Sequence, residues 1–135
     1  MAKFTGACLC GAVGYSAEAE PIFMGVCHCR DCQRATGSAF EAVVAIPEAG
    51  LTVRGSPKTF SSTGASGQAV HRSFCPECGS TLMARPEAMA GVVMLTTGAM
   101  DDTSQFKPSM QIFCETAQPW VNLGGDMQSF ARMPG

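Results

Sequence analysis

Apolar positions along this chain fall in short runs broken by turn residues, and no stretch keeps the three-to-four-residue spacing of a long amphipathic helix. Several runs carry the β-branched or aromatic enrichment that suits a pleated surface. They predict strands at Ala12 to Ala17, Phe40 to Ile46, Leu51 to Arg54, Lys58 to Ser62, Ala69 to Phe74, Thr81 to Arg85, Val92 to Thr97 and Met110 to Glu115. The small polar residues from Ser61 to Gln68 predict a hairpin tip. Helix is expected only at Arg30 to Thr36, closed by Gly37, and as a brief turn at Pro86 to Ala90 before Gly91. The pattern as a whole predicts an all-β fold of short antiparallel strands with little helix.

Composition sharpens this picture. A chain of 135 residues fits one domain over its whole length. Its 46% hydrophobic content supplies a core, while 15 Gly, 8 Pro and only 15% charged residues favour turns. Lys+Arg 9 against Asp+Glu 11 gives a net charge of -2, so no basic field exists to attract nucleic acid. Met1-Ala2-Lys3-Phe4-Thr5-Gly6 lacks the apolar stretch of a signal peptide, and no window approaches the ~20 apolar residues of a membrane span. The expectation is a cytoplasmic protein with no membrane partner. In that reducing compartment the eight cysteines read as metal ligands and not as disulfide partners.

Seven of the cysteines cluster: Cys8-x-Cys10, Cys27-His28-Cys29-x-x-Cys32, and Cys75-Pro76-Glu77-Cys78-Gly79. In the last, proline presets one backbone angle and glycine permits a positive one, so both sulfurs turn toward a common ion. Cys8 and Cys10, two apart, share a face if their segment is extended. Two plus two closes a tetrahedron, which predicts a structural zinc on Cys8, Cys10, Cys75 and Cys78. For a domain of this size such a site acts as a staple, because its binding free energy is largely folding free energy.

Cys27, Cys29 and Cys32 offer three sulfurs and leave a coordination position open, the mark of a catalytic zinc. Three thiolates blunt the electrophilicity of zinc, so the site suits a thiol substrate better than a hydrolytic water. A thiol of ordinary pKa roughly 8.5 would be held as thiolate there and could add to an aldehyde carbon. Cys114, in a strand-like run, reads as a buried inert thiol. His28 is expected to point away from its flanking cysteines, toward a supporting contact or the surface, and His71 to face solvent. Met83, Met94, Met100 and Met110 read as core filler, and Asp101-Asp102 as a turn or helix start.

Taken together these motifs resemble the glutathione-dependent formaldehyde-activating (GFA) enzymes, a family that includes centromere-protein-V-like relatives. The resemblance rests on Gly6-Ala7-Cys8-Leu9-Cys10-Gly11, Cys27-His28-Cys29-Arg30-Asp31-Cys32-Gln33, Arg72-Ser73-Phe74-Cys75-Pro76-Glu77-Cys78-Gly79-Ser80, Gly98-Ala99-Met100-Asp101-Asp102 and Pro119-Trp120. It implies a β-tent of several small twisted sheets and two zinc ions, one on the outer clusters and one on the middle cluster. It further implies a carbon-sulfur lyase that condenses formaldehyde with glutathione to S-hydroxymethylglutathione, with Cys27, Cys29 and Cys32 at the reacting centre. Arg30, Arg34 and Arg72 then become candidates to meet substrate carboxylates. Where family members often carry His-Ile and, shortly ahead of the terminal tryptophan, a Lys, this chain has Gln111-Ile112 and Ala117. Two other functions fit the same residues: a non-catalytic zinc module that binds a protein partner, and a redox switch in which the middle cluster releases zinc and forms a disulfide. Oligomeric state is left open.

Overall fold

The computed structural model describes residues 3–134. The chain runs through β1 (Phe4–Ala7), β2 (Gly14–Ala17), β3 (Phe23–Cys27), α1 (Arg30–Thr36), β4 (Glu41–Pro47), β5 (Leu51–Arg54), β6 (Lys58–Thr63), β7 (Ala69–Phe74), β8 (Thr81–Pro86), β9 (Val92–Thr96), β10 (Met110–Ile112) and β11 (Gln128–Ser129). The all-β expectation holds. β1, β2 and β5 form an antiparallel three-stranded sheet, and the remaining strands form a second sheet in the order β11-β10-β3-β4-β9-β8-β7-β6. Pairing is antiparallel except where β10 runs parallel to both β3 and β11.

Strands β1 and β3 lie outside the runs expected from sequence. Phe4-Thr5-Gly6-Ala7 and Phe23-Met24-Gly25-Val26-Cys27 each carry a central glycine that lowers local strand preference, so pairing with neighbours makes the strand. At Gly25 the glycine is needed for close approach: a Cβ there would sit 3.0 Å from Cγ and 3.1 Å from the carbonyl oxygen of Met110 on the adjoining β10. The run expected to extend to Glu115 stops at Ile112, because Phe113 takes a left-handed conformation at φ 55°. The hairpin tip is shorter than the Ser61 to Gln68 segment, since Ser61 to Thr63 still pair with β7. The turn expected at Pro86 to Ala90 is a 3-10 turn at Glu87–Met89, and α1 spans Arg30–Thr36 with Gly37 as its cap.

The core fills the space between the sheets with Phe4, Val13, Tyr15, Val44, Ile46, Leu82, Met83, Val93 and Leu95. Burying each large apolar side chain contributes roughly 1.5–3 kcal/mol. The period of two along a strand divides β4 and β9 between two environments. Val44 and Ile46 on β4, and Val93 and Leu95 on β9, enter that core, whereas Glu41, Val43 and Met94 face a cavity on the other side of the sheet. Met83 and Met100 are core filler as expected; Met94 lines the cavity instead and Met110 packs beside Cys27 and Cys32.

Candidate functional site

Two cysteine groups come together. The Sγ atoms of Cys8, Cys10, Cys75 and Cys78 all lie within 4.8 Å of one another, and so do those of Cys27, Cys29 and Cys32.

The four-sulfur group joins the turn after β1 to the turn between β7 and β8. Cys8 and Cys10 do not lie in an extended strand; Gly11 N–H donates to Cys8 O at 3.1 Å, and this turn brings both sulfurs to those of Cys75 and Cys78. Opposite, Gly79 N–H donates to Cys75 O at 2.8 Å, with Gly79 at φ 78°, where a side chain would be strained. The Cys8 to Cys10 and Cys10 to Cys75 sulfur separations are both 3.7 Å. A disulfide needs about 2.05 Å, whereas tetrahedral zinc with bonds of about 2.3 Å sets sulfurs about 3.8 Å apart. The donor set therefore fits a closed metal site. Backbone N–H groups support the negative sulfurs, Val13 donating to Cys8 at 3.2 Å and Glu77 to Cys75 at 3.4 Å. The Ser80 hydroxyl stands 3.2 Å from Cys78 Sγ and accepts from Leu9 N–H at 3.0 Å, tying the halves together. Hydrogen bonds from the Ser80 side chain and backbone lower the Cys78 thiol to about 5, and the Val13 N–H lowers that of Cys8.

The three-sulfur group sits where β3 meets α1. Cys27 ends the strand, Cys29 is the helix N-cap, its Sγ accepting from Cys32 N–H at 3.2 Å, and Cys32 lies in the first helical turn. Thiols of Cys27 and Cys32 directed at the Cys29 sulfur, helped by the Cys32 N–H and the charge of Arg72, hold Cys29 far below the ordinary thiol value. The same contacts, together with burial, push Cys27 up to about 12 and raise Cys32 as well. Ionising all three sulfurs this close is opposed by their mutual repulsion, and a divalent cation is the group that would relieve it. The donor set fits a metal with one position free.

All three of these sulfurs line a cavity of about 440 Å³, and none of the other four does. Its walls are mainly Val43, Val70, Ala84, Met94, Ile112 and Phe113, with the hairpin tip Gly64, Ala65 and Ser66 at its edge. Two charged side chains stand beside the sulfurs. Arg72 on β7 reaches within 3.9 Å of Cys32 Sγ and within 3.6 Å of a carboxylate oxygen of Glu41, which also accepts from Thr96 Oγ1 at 3.0 Å. Burial, partly offset by Thr96 and Arg72, raises the Glu41 carboxyl above its ordinary value.

A model of the glutathione-dependent formaldehyde-activating enzymes matches residues 3–116. The chain belongs to this family. Among solved structures it is similar to a crystal structure of a Rhodobacter sphaeroides protein, at 18% identity and TM-score 0.58, over 93% of this chain and 98% of that one. That likeness supports the fold alone. No match was found among curated proteins. Family membership points to an enzyme of the formaldehyde-glutathione type, with two cysteine clusters able to hold metal ions.

Of the arginines expected to meet substrate, only Arg72 lines the cavity. Arg30 and Arg34 are exposed on α1, and Arg30 bonds Gln33. His28 is buried, its Nε2–H donating to Gln111 Oε1 at 2.8 Å, so Gln111 supports the residue between two cluster cysteines. His71 is half-buried and pairs with Ser61 and Glu87. Cys114 belongs to neither cluster; it stands in a 3-10 turn, half-buried, its Sγ near Gln111 O. Asp102 caps a 3-10 turn through Ser104 N–H, and Asp101 accepts from Thr5 Oγ1. No helix among the described residues is long and apolar enough to cross a membrane.

Sequence reading missed Glu41, Gln33 and Arg132. Glu41 had a signal, a lone carboxylate opening an apolar strand two residues before cavity-facing Val43. Gln33 Nε2 donates to the carbonyls of His28 and Thr116, pinning the cysteine loop to the chain that follows β10. Arg132, at the cavity edge, lies far from every motif.

Proposed function

We propose that this protein is a zinc-dependent carbon-sulfur lyase that joins a thiol, glutathione or a similar one, to formaldehyde or a related aldehyde as an S-hydroxymethyl adduct. The observation that carries this reading is the contrast between the clusters: four sulfurs gathered away from the cavity, and three lining it. Cys8, Cys10, Cys75 and Cys78 are assigned a structural zinc, and Cys27, Cys29 and Cys32 the catalytic one. The assignment treats residues 1–135 as one domain working in the reducing cytosol.

When bound at the second cluster, zinc would supply a Lewis acid on which an incoming sulfur persists as thiolate. The protein's own groups do the rest. The Cys32 N–H fixes the Cys29 sulfur at the helix start, and Arg72 offsets negative charge at Cys32. Gln33 and Thr116 Oγ1 both donate to His28 O, holding the loop that carries Cys27 and Cys29. The apolar walls thin out water around the reacting atoms, which favours the thiol over hydration of the aldehyde. In the reaction a carbon-sulfur bond forms, the carbonyl π pair moves to oxygen, and the thiol proton ends on that oxygen; nothing is oxidised or reduced. The test is the rate of S-hydroxymethylglutathione formation by protein holding two zinc ions. A rate above the uncatalysed background supports the reading, and none overturns it for this substrate pair.

A further inference from the structure

Resting on the lyase reading above, we propose that the thiol this cavity selects is a hydrocarbon-chain thiol with a single terminal carboxylate, which Arg132 receives. The wall beside the three sulfurs is built from Val43, Val70, Ala84, Met94, Ile112 and Phe113, none of which offers a side-chain hydrogen bond. A peptide thiol such as glutathione carries amide groups on both sides of its sulfur-bearing residue. Buried against such a wall, each unpaired amide lowers affinity about tenfold. A methylene chain loses nothing there and gains from leaving water.

Charge around the cavity is sparse. Glu41 and Arg72 face each other at 3.6 Å, largely sealed from solvent, and Arg72 also stands 3.9 Å from Cys32 Sγ, so its charge is engaged by Glu41 and the cluster. At the hairpin tip Gly64 N–H donates to Gln68 O and Ser66 Oγ accepts from Gln68 N–H, and the tip carries no charge. Asp31 and Arg132 remain, Asp31 exposed on the first turn of α1 and unsuited to an anion. The Arg132 guanidinium lies 6.0 Å from the Phe113 ring centroid and 3.8 Å from a Glu115 oxygen. Its backbone carbonyl accepts from Phe113 N–H at 3.1 Å, which anchors it at the cavity edge. With its side chain 61% exposed, the pair with Glu115 is weak and leaves guanidinium donors for a bidentate carboxylate. Arg132 falls beyond the family-matched residues 3–116, so this recognition would belong to the chain's own C-terminal segment.

The test is calorimetric titration of zinc-loaded protein with 6-mercaptohexanoate, its methyl ester and glutathione. The acid is expected to bind at least about tenfold more tightly than glutathione. Arg132→Ala is expected to narrow the acid's advantage over its ester about fivefold, and Arg132→Lys to restore part of it. Glutathione binding as tightly as the acid, or Arg132→Ala leaving the acid-to-ester ratio unchanged, overturns the inference. Turnover with formaldehyde, followed in parallel, separates the two claims: failure of every thiol to react removes the lyase reading, while the order of binding still decides this one.

Discussion

The imidazole of His28 donates through Nε2 to Oε1 of Gln111 across 2.8 Å, linking the residue between two cluster cysteines to β10. Gln111 continues the chain of contacts, its Nε2 donating to Ser129 Oγ at 3.0 Å on β11. The cysteine loop, the parallel pairing of β10 and the C-terminal strand are thus joined through one amide side chain. Gln111→Leu should strand the buried His28 donor and cost about 1–2 kcal/mol. Urea unfolding of parent and variant checks this, and an unchanged midpoint contradicts it.

Arg72 and Glu41 form a pair sealed from solvent beside Cys32. Removing the cation leaves a carboxylate in a low-dielectric site, so Arg72→Met should destabilise by about 3 kcal/mol. Adding Glu41→Gln to that variant should recover much of the loss. A double variant no more stable than Arg72→Met would show that the pair is not the source of the effect.

Gly79 holds φ 78° in the turn that carries Cys75 and Cys78. Gly79→Ala should cost about 1–2 kcal/mol by forcing a side chain into the left-handed region. It should also speed release of one of two bound zinc ions to a chelator, read with a colorimetric zinc indicator. Unaltered release kinetics would dissociate this turn from metal retention.

Glu48 accepts from Arg85 Nη2 at 2.9 Å, and this contact lowers the Glu48 carboxyl below its ordinary value of 4.5. A depressed folded-state value means stability is present above pH 4.5 and is lost as pH falls through the lowered value. Both side chains are about a third or more exposed, so screening keeps the contribution small, about 0.5 kcal/mol. Glu48→Gln should therefore lower stability slightly at pH 7 and match the parent under strong acid. The difference between the two proteins is the quantity to measure, because effects of metal release cancel in it.

What the sequence made legible follows from how local each feature is. The cysteine groupings could be read because the spacings Cys8-x-Cys10 and Cys75-x-x-Cys78 reflect turns of a few residues; Cys8 and Cys10 share an ion from a turn and not from the extended segment that their spacing would also suit. Strands β4 and β9 announced themselves through β-branched runs that the core demands. β1 and β3 did not, since Gly6 and Gly25 serve close contacts made by residues distant in sequence. The parallel alignment of β10 with β3 joins Met110 to Gly25, a pairing with no local trace. Arg30 and Arg34 drew notice by nearness to Cys29 and Cys32, yet α1 leaves both exposed, while Arg132 reaches the cavity only because residues 128–132 fold back beside β10 and Phe113.

The account turns on the division of labour between the two cysteine clusters, and Cys29→Ser tests it most directly. Zinc content, thermal unfolding and thiol-dependent rate should be measured on that variant and the parent together. The account predicts one zinc retained instead of two, a cooperative unfolding transition preserved, and no rate above background. Two zinc ions with an unchanged rate, or loss of the folded state along with the metal, would contradict it.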